Sequence, residues 1–248
     1  MPRRARRKSK TGIYHVVLRG INRQIIFEDE EDHNRLLETL KTYKAICEYR
    51  LFAYCLMGNH FHLLLEVGKE DLGLILKRIA GSYVYWYNLK YRRNGHLFQD
   101  RYKSEPVEDD GYFLSVLRYI HRNPLKAGIC GKIEDYEYSS YNAYNRGDSS
   151  ILDIEYVFSM IGRDGFFTLS KETGDEKCLD AEKGGTRIND ADAITIIQRV
   201  SQCTNAVQFQ LLENKLRDRY IKELKASGLS IRQISRLTGV SFGIVRKE

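Results

Sequence analysis

The sequence predicts an α+β fold, in which helices cover one face of an antiparallel β-sheet, followed by an all-helical C-terminal region. In the first half of the chain, short β-branched and aromatic runs alternate with longer segments whose apolar residues recur at helical spacing. Near the end of the chain only the helical spacing remains. With 248 residues, of which 42% are hydrophobic, the chain can form one large or two small packed domains.

The predicted elements of the first half follow the order β-α-β-β-α-β-α. Gly58 and Asn59 separate the second and third strands, which favours an antiparallel hairpin. Acidic residues 29–32 stand where the dipole of the first helix favours them, and Pro124 is expected to end the third helix. The predicted ranges are strand 13–18, helix 30–49, strands 51–57 and 61–67, helix 71–89, strand 105–108 and helix 110–123. This order is typical of a ferredoxin-like or RRM-like sheet.

Composition divides the chain into four parts. Residues 1–11 form a basic arm, of a kind that is usually disordered and often contacts phosphates. The α+β domain is assigned to residues 12–145. Residues 146–190 are polar and interrupted by glycines, which indicates a partly flexible linker. Residues 191–248 are predicted to be helical, beginning with a helix over about 191–225.

The charge and cysteine content narrow the class of protein. The net charge of +7 and the pI of about 9.0 favour a polyanionic partner, of which nucleic acid is the commonest. No apolar run in the sequence approaches the roughly 20 residues that span a bilayer, and the N-terminus lacks the apolar stretch of a secretory signal. We therefore expect no membrane partner and a cytoplasmic location. The five cysteines include no C-x-x-C pair, so a zinc ribbon or disulfide framework is not expected.

A pair of histidines marks the first candidate site. His60 and His62 flank Phe61, and side chains on a strand alternate between its faces. The two imidazoles therefore share a face, roughly 7 Å apart along the strand, while Phe61 points into the core. Imidazole binds several divalent transition metals, so the pair is a candidate metal site. The plain alternative is a pair of half-exposed strand histidines.

Tyr119 and Asn123 mark the second candidate site. Residues four apart share one face of a helix, so the phenol and the carboxamide lie side by side. Tyrosine is one of the nucleophiles used in covalent catalysis. Because the chain holds 17 tyrosines, most of them must be structural, and Tyr119 is a candidate only in combination with other motifs.

Basic residues interleaved with aromatic ones predict contact with nucleic acid. Residues 91–104 carry several cations among tyrosine, histidine and phenylalanine, and residues 19–23 form a second basic loop. Cations neutralise phosphates, and aromatic faces stack on unpaired bases, which suits single strands or hairpin loops. The plain alternative is a solvated loop with packed aromatics. The candidate DNA-binding residues here are Arg19, Arg23, Arg92, Arg93, Arg101 and Lys103.

The C-terminal segment 229–246 has the pattern of a helix-turn-helix. Ser230 is the expected N-cap, and Gly239 stands at the turn between two short helices. The second helix of such a motif can enter the major groove, so cations on both helices are candidate DNA contacts. The alternative is a small helical interaction module. The apolar faces are assigned to Ile231, Ile234 and Leu237, then Val240, Ile244 and Val245, and the cations are Arg232, Arg236 and Arg246.

Three segments in this order resemble the REP-associated tyrosine transposases, a group of single-tyrosine HUH transposases. They are residues 56–64 (LMGNHFHLL), 95–104 (GHLFQDRYKS) and 117–128 (LRYIHRNPLKAG). The segment 136–141 (YEYSSY) is similar to the end of the family's conserved region, and the resemblance spans about residues 12–144. It covers the α+β domain and leaves the helix-turn-helix as an appendage present in part of the family.

The resemblance implies a role for each candidate residue. His60 and His62 match the metal-binding pair, Asn123 the polar third ligand, and Tyr119 the nucleophile. It implies a divalent ion, Mg²⁺ or Mn²⁺, and cutting and rejoining of single-stranded DNA near hairpins through a 5′-phosphotyrosine. Some members are dimers and others monomers, so a homodimer stays open. Because this ligand set is neutral and Mg²⁺ prefers carboxylates, we expect weak metal binding without DNA.

Three other functions compete with this interpretation. The first is a catalytically silent DNA-binding regulator derived from a transposase, which would not need the intact set of His60, His62, Tyr119 and Asn123. The second is a replication initiator or relaxase, although the chain has no Walker-type G-x-x-x-x-G-K-[ST] motif of an attached helicase. The third is an RNA-binding module of RRM type, which would need neither the histidine pair nor the tyrosine.

Overall fold

The computed structural model describes residues 6–172, 178–179, 190–229 and 231–247, without the side chains of residues 190–192 and 232. The chain divides into two compact units, Met1–Ala181 and Glu182–Glu248, which we call the N-terminal and C-terminal units. Among the described helices, none is both long and apolar enough to cross a membrane.

The N-terminal unit contains the predicted β-α-β-β-α-β-α order, followed by two further helices. All neighbouring strands are antiparallel, in the sheet order β2-β3-β1-β4. The α+β fold class and the hairpin at Gly58 and Asn59 are therefore confirmed. The elements are β1 (Ile13–Arg19), α1 (Glu30–Cys47), β2 (Arg50–Met57), β3 (His60–Glu66), α2 (Leu72–Lys90), β4 (Lys103–Pro106), α3 (Asp110–Lys126), α4 (Tyr141–Arg146) and α5 (Ile154–Lys171).

The two faces of the sheet are covered by different helices. On one face Phe61 of β3 lies 6.3 Å from Phe27, whose ring is 5.7 Å from Tyr83 of α2. Helices α1 and α2 pack together on this side, as predicted. On the opposite face His62 of β3 meets Tyr119 of α3, with ring centroids 5.7 Å apart. Helix α3 thus lies over the face that carries the histidines.

Helix α3 begins as expected but ends later. The Asp109 carboxylate accepts the backbone N–H of Tyr112, which fixes its first turn. The expectation that Pro124 ends the helix is wrong, because the helix runs on to Lys126. Proline removes only one N–H, and the carbonyls of Asn123 and Pro124 still accept bonds from the backbone N–H groups at 127 and 129.

A flexible linker was expected over residues 146–190, but the structure has a packed helix in the first part of this segment. Helix α5 occupies residues 154–171, and Val157 and Phe166 on it are completely buried. The Phe166 ring stacks on Tyr144 of α4 at 4.4 Å. Gly162, which the sequence analysis took as a sign of flexibility, adopts φ 68° and bends this helix instead. Most of the remaining expected linker lies outside the described residues.

The basic arm is ordered from Arg6 onward, where disorder was expected. The Arg6 guanidinium donates to the carbonyl of Tyr102 at 2.8 Å and lies 3.8 Å from the centroid of the Tyr102 ring. The backbone N–H of Lys10 donates to the Glu108 carboxylate. Residues 1–5 lie outside the described part of the chain.

The C-terminal unit is helical, as predicted, but its first helix is shorter than expected. Asn205 caps a new helix by accepting the N–H of Gln208, so the expected helix over 191–225 is divided into three. Its core includes Ile197, Phe209 and Ile221. The helices are α6 (Asp190–Ser201), α7 (Ala206–Gln210), α8 (Asn214–Ala226), α9 (Ile231–Thr238) and α10 (Phe242–Lys247).

Helices α9 and α10 are the two short helices predicted for the helix-turn-helix. Gly239 between them has φ 70°, a conformation that glycine adopts without strain. Ile234, Val240 and Val245 are buried as predicted. The assignment of Ile244 to the inner face is wrong, because its side chain is 38% exposed. The predicted cap, residue 230, lies outside the described residues.

Candidate active site

The two histidines of β3 lie on the sheet face that α3 covers. Residues directly opposite in an antiparallel pair share a face, and the register pairs His60 with Arg19 and His62 with Val17. The rings of His60 and His62 are 5.1 Å apart between centroids. His62 is completely buried, whereas His60 keeps 9% of its surface exposed. The site therefore has an inner histidine and an outer histidine.

Helix α3 brings Tyr119 and Asn123 to this face. The Nδ2 atom of Asn123 lies 3.3 Å from Nε2 of His62, and the phenol ring of Tyr119 lies edge-on to the same imidazole. Both residues are almost fully buried. The four predicted residues His60, His62, Tyr119 and Asn123 thus meet in one place.

Lys126, which the sequence analysis did not select, adds a cation to the site. Its Nζ lies 5.5 Å from the centroid of the Tyr119 ring, and its side chain is exposed. Because residues seven apart share a helix face, the spacing of Lys126 from Tyr119 was a usable signal. The site therefore has a cation beside the Tyr119 ring.

A buried hydrogen-bond chain supports the inner histidine. Nδ1 of His62 lies 3.0 Å from Nε2 of His15 on β1, and Nδ1 of His15 lies 2.8 Å from Oε1 of Glu105 on β4. His15 has no exposed surface. Burial raises the pKa of Glu105, but hydrogen bonds from His15, from the Leu179 backbone N–H and from Tyr112 outweigh it and lower that pKa. Sequence reasoning missed His15 and Glu105, because only the strand register brings them together.

The outer histidine is supported by its neighbour in the hairpin turn. Nδ1 of His60 lies 2.7 Å from Oδ1 of Asn59, and the Asn59 amide donates to the carbonyl of Arg23 at 3.3 Å. Gly20 N–H donates to the Asn59 carbonyl at 2.8 Å. Asn59 therefore connects His60 to the basic loop that follows β1.

Each of the two histidines uses its Nδ1 atom in a hydrogen bond, and burial determines the charge of His62. Burial, together with the charges of His60 and His15, lowers the pKa of His62 well below its ordinary value, so this imidazole is neutral. Since both Nδ1 atoms are engaged, Nε2 is the nitrogen that each ring would present to a metal ion, an arrangement common among metal-binding histidines.

The donor set fits a weakly held divalent ion. Among the described residues no group of three or more His, Cys, Asp or Glu side chains could hold a metal. His60, His62 and Asn123 supply two imidazoles and one amide, and the amide can present its oxygen after rotation. Such a neutral set suits Mn²⁺, and Mg²⁺ with oxygen ligands from a substrate phosphate.

Some of the predicted DNA-binding cations lie in the N-terminal unit and the others in the C-terminal unit. Arg19 and Lys103 share the site's face of the sheet, since they pair with His60 and Val17. Arg93 donates to Gln24 in the loop after β1, next to Arg23. Arg92 and Arg101 are exposed in the segment between α2 and β4. Arg236 and Arg246 are exposed in the C-terminal unit, and the side chain of Arg232 lies outside the described residues.

A four-stranded antiparallel sheet with an H-x-H pair on one strand and a tyrosine on the facing helix agrees with the resemblance to single-tyrosine transposases that the sequence shows. Residues 8–123 match the family model described as IS200-like transposases. The family resemblance predicted from the sequence is confirmed.

Two known proteins illustrate the relationship. The chain is 28% identical over 120 residues to a REP-associated tyrosine transposase of Haemophilus influenzae, a match that covers 42% of this chain and 68% of the relative. It is also similar to the solved structure of a REP-associated tyrosine transposase bound to a REP hairpin. There the TM-score is 0.52 at 18% identity, covering 59% of this chain and 86% of the other. At that identity the structural likeness supports the fold alone.

Proposed function

We propose that this protein cuts and rejoins single-stranded DNA at hairpin elements through a 5′-phosphotyrosine on Tyr119. The observation that carries the proposal is the position of Tyr119. Its ring lies 5.7 Å from His62, 5.8 Å from His15 and 5.5 Å from the Lys126 cation. The solved relative bound to a REP hairpin suggests the class of substrate.

The proposed reaction is a transesterification. The Tyr119 oxygen forms a bond to phosphorus, the bond from phosphorus to the 3′ oxygen breaks, the phenolic proton passes to solvent, and the leaving oxygen takes up a proton. The products are a 5′-phosphotyrosine and a free 3′-hydroxyl. Attack by another 3′-hydroxyl reverses the step and joins two strands, so no nucleoside triphosphate is needed.

The side chains of the site would divide the work. Lys126, Arg19 and Lys103 would neutralise the phosphates, and the packing of Tyr119 against two imidazoles would fix the direction of the phenol. His60, His62 and Asn123 would hold Mg²⁺ or Mn²⁺, which when bound would polarise the scissile phosphate. We propose that the exposed Arg236 and Arg246 give a second contact to DNA through the helix-turn-helix.

The first test is cleavage of labelled hairpin DNA from the flanks of the gene, with Mg²⁺ or Mn²⁺, read on a denaturing gel. Wild type should form a covalent DNA–protein adduct. Tyr119→Phe should form none, and cleavage should fall by on the order of 10³-fold or more, as expected when a nucleophile is removed. The matched control is Tyr85→Phe, since Tyr85 is a 71% exposed tyrosine on α2 and should cleave like wild type.

Another outcome would favour the silent regulator. If wild type binds the hairpin tightly but yields no adduct with either metal, the catalytic proposal fails. An adduct that persists in Tyr119→Phe would instead assign the nucleophile to another residue.

A further inference from the structure

We propose that Glu105 and His15 are positioning residues that fix the tautomer of His62. They keep the ring proton on Nδ1, so that Nε2, which faces Asn123, carries a lone pair. The inference rests on the proposed metal-binding role of His62 and deepens it. None of the motifs that revealed His60 and His62 includes either positioning residue.

The direction of each hydrogen bond follows from the two ends of the chain, the Glu105 carboxylate and the Asn123 amide. Glu105 is ionised and can only accept, so the 2.8 Å contact requires His15 to donate from Nδ1. At the other end the amide nitrogen of Asn123 can only donate, so Nε2 of His62 accepts from it at 3.3 Å. The proton of His62 then lies on Nδ1, which donates to Nε2 of His15 at 3.0 Å. Nε2 of His62 is then left with its lone pair, directed toward Asn123.

Glu105 is itself held in place from several sides. It stands directly opposite His15 in the β1–β4 pair, and the Leu179 N–H donates to the same oxygen, Oε1, at 2.7 Å. The Tyr112 hydroxyl adds a further bond. The chain of bonds therefore crosses three neighbouring strands, from β4 through β1 to β3.

The two histidines of the pair are supported differently. His60 relies on the adjacent Asn59 in the hairpin turn, whereas His62 relies on two residues from other strands. A completely buried histidine such as His15 is unnecessary for packing, since an apolar side chain would fill the same space without needing two partners. The arrangement of partners is that of outer-shell residues behind a metal ligand, whose loss typically lowers metal affinity by ~10–100-fold.

The test reads the tautomer directly in the metal-free full-length protein. Long-range ¹H–¹⁵N NMR distinguishes protonated from unprotonated ring nitrogens, and a His62→Gln spectrum assigns the His62 signals. In wild type we expect a proton on Nδ1 and none on Nε2 of His62. In His15→Phe, which keeps an aromatic ring but cannot accept, this preference should be lost.

A second readout is the affinity for Mn²⁺, titrated by electron paramagnetic resonance with unlabelled hairpin DNA present. His15→Phe should weaken Mn²⁺ binding by ~10–100-fold. Glu105→Gln, which keeps the shape of the side chain but not its charge, should lower the Mn²⁺ affinity by a smaller factor. This variant also tests the proposal if His15→Phe does not fold. Glu108→Gln is the matched control, because its exposed carboxylate accepts the backbone N–H of Lys10 in the basic arm and lies outside the chain of histidines.

The outcomes separate this inference from the proposed function. A proton on Nε2 of His62 in wild type would overturn it, as would unchanged tautomer and Mn²⁺ affinity in folded His15→Phe and Glu105→Gln. If the tautomer and Mn²⁺ results hold but wild type forms no DNA adduct, the inference stands and the proposed catalytic function fails.

Discussion

The two units of the chain place their candidate functional groups in opposite environments. In the N-terminal unit, His62, Tyr119 and Asn123 are buried and make hydrogen bonds or ring contacts with one another. In the C-terminal unit, the candidate cations Arg236 and Arg246 are exposed on short helices. The first arrangement suits chemistry that needs fixed atoms, and the second suits contact with phosphates in water.

This difference has a physical cause. A buried polar group must be paired, because an unpaired one costs roughly 1–3 kcal/mol, so each buried functional group requires a further partner behind it. An exposed cation can form hydrogen bonds with water, so its burial cost is small. The N-terminal unit therefore carries His15, Glu105 and Asn59 in addition to the residues that would meet the substrate.

The largest effect should come from cavities in the two cores. Leu36 in α1 and Ile234 in α9 are both completely buried, each in the core of its own unit. Leu36→Ala and Ile234→Ala should each lower the free energy of unfolding of the affected unit by ~2–5 kcal/mol. Differential scanning calorimetry measures the transitions, and the hairpin cleavage assay shows which unit the chemistry needs.

The comparison predicts different functional consequences for the two variants. Leu36→Ala should lower the temperature at which cleavage is lost, whereas Ile234→Ala should leave cleavage intact at temperatures where the C-terminal unit has unfolded. One shared transition that moves with either substitution would show that the two units fold as one, and would remove the basis of the comparison.

Local sequence patterns were enough for the elements and for the residues that share one element. The order of strands and helices, the H-x-H pair on β3 and the pair of Tyr119 with Asn123 on α3 all depend on spacing along the chain. Periods of two and 3.6 residues fix which side chains share a face, so these predictions needed no knowledge of tertiary structure.

The residues that sequence reasoning missed depend on contacts between distant strands. His15 and Glu105 are 90 residues apart and meet only because β1 pairs with β4 in one register. The bend at Gly162 was missed for a different reason, since glycine indicates a flexible segment and a bent helix equally well. Registers between distant strands have no local signal, and so the second layer of the site required the structure.

A smaller effect is expected from removing exposed cations of the C-terminal unit. If Arg236 and Arg246 each contact one phosphate of double-stranded DNA, each change to alanine should reduce the slope of log affinity against log salt by about 1. Fluorescence anisotropy with a labelled duplex at several salt concentrations measures this slope. Lys215→Ala on α8 is the control, because Lys215 is an exposed cation of the same unit outside the helix-turn-helix.

Two other outcomes would change the interpretation of the C-terminal unit. Equal slopes for wild type and both arginine variants would remove the helix-turn-helix from the DNA contacts. A reduced slope in Lys215→Ala would show that the unit attracts DNA through its overall charge. In all of these variants hairpin cleavage at low salt should remain within a few-fold of wild type.

The smallest effect should be a difference between the two units in how acid lowers their stability. The units should differ because all six histidines precede residue 122, so the C-terminal unit has none. His33 in α1 is stacked between Phe27, at 4.6 Å, and Tyr138, at 3.6 Å. Burial lowers the pKa of His33, although the backbone carbonyl of Asp29 and the charges of Asp32, Asp29 and Glu137 oppose this.

The sign of the pH effect follows from that lowered pKa. When the folded pKa of a histidine lies below its unfolded value of about 6.5, the unfolded state binds the proton first as the pH falls. The contribution of His33 to stability is therefore complete above about pH 6.5 and decreases below it, by up to about 1.4 kcal/mol for each unit that separates the two pKa values.

Between pH 7 and 5.5 the unfolding transition of the N-terminal unit should move to lower temperature, while that of the C-terminal unit should stay nearly constant. His33→Phe keeps the stacked ring without a titrating group and should make the first shift smaller. An unchanged shift in that variant would assign the acid sensitivity to other groups, and an equal shift in both transitions would show that it does not come from the histidines.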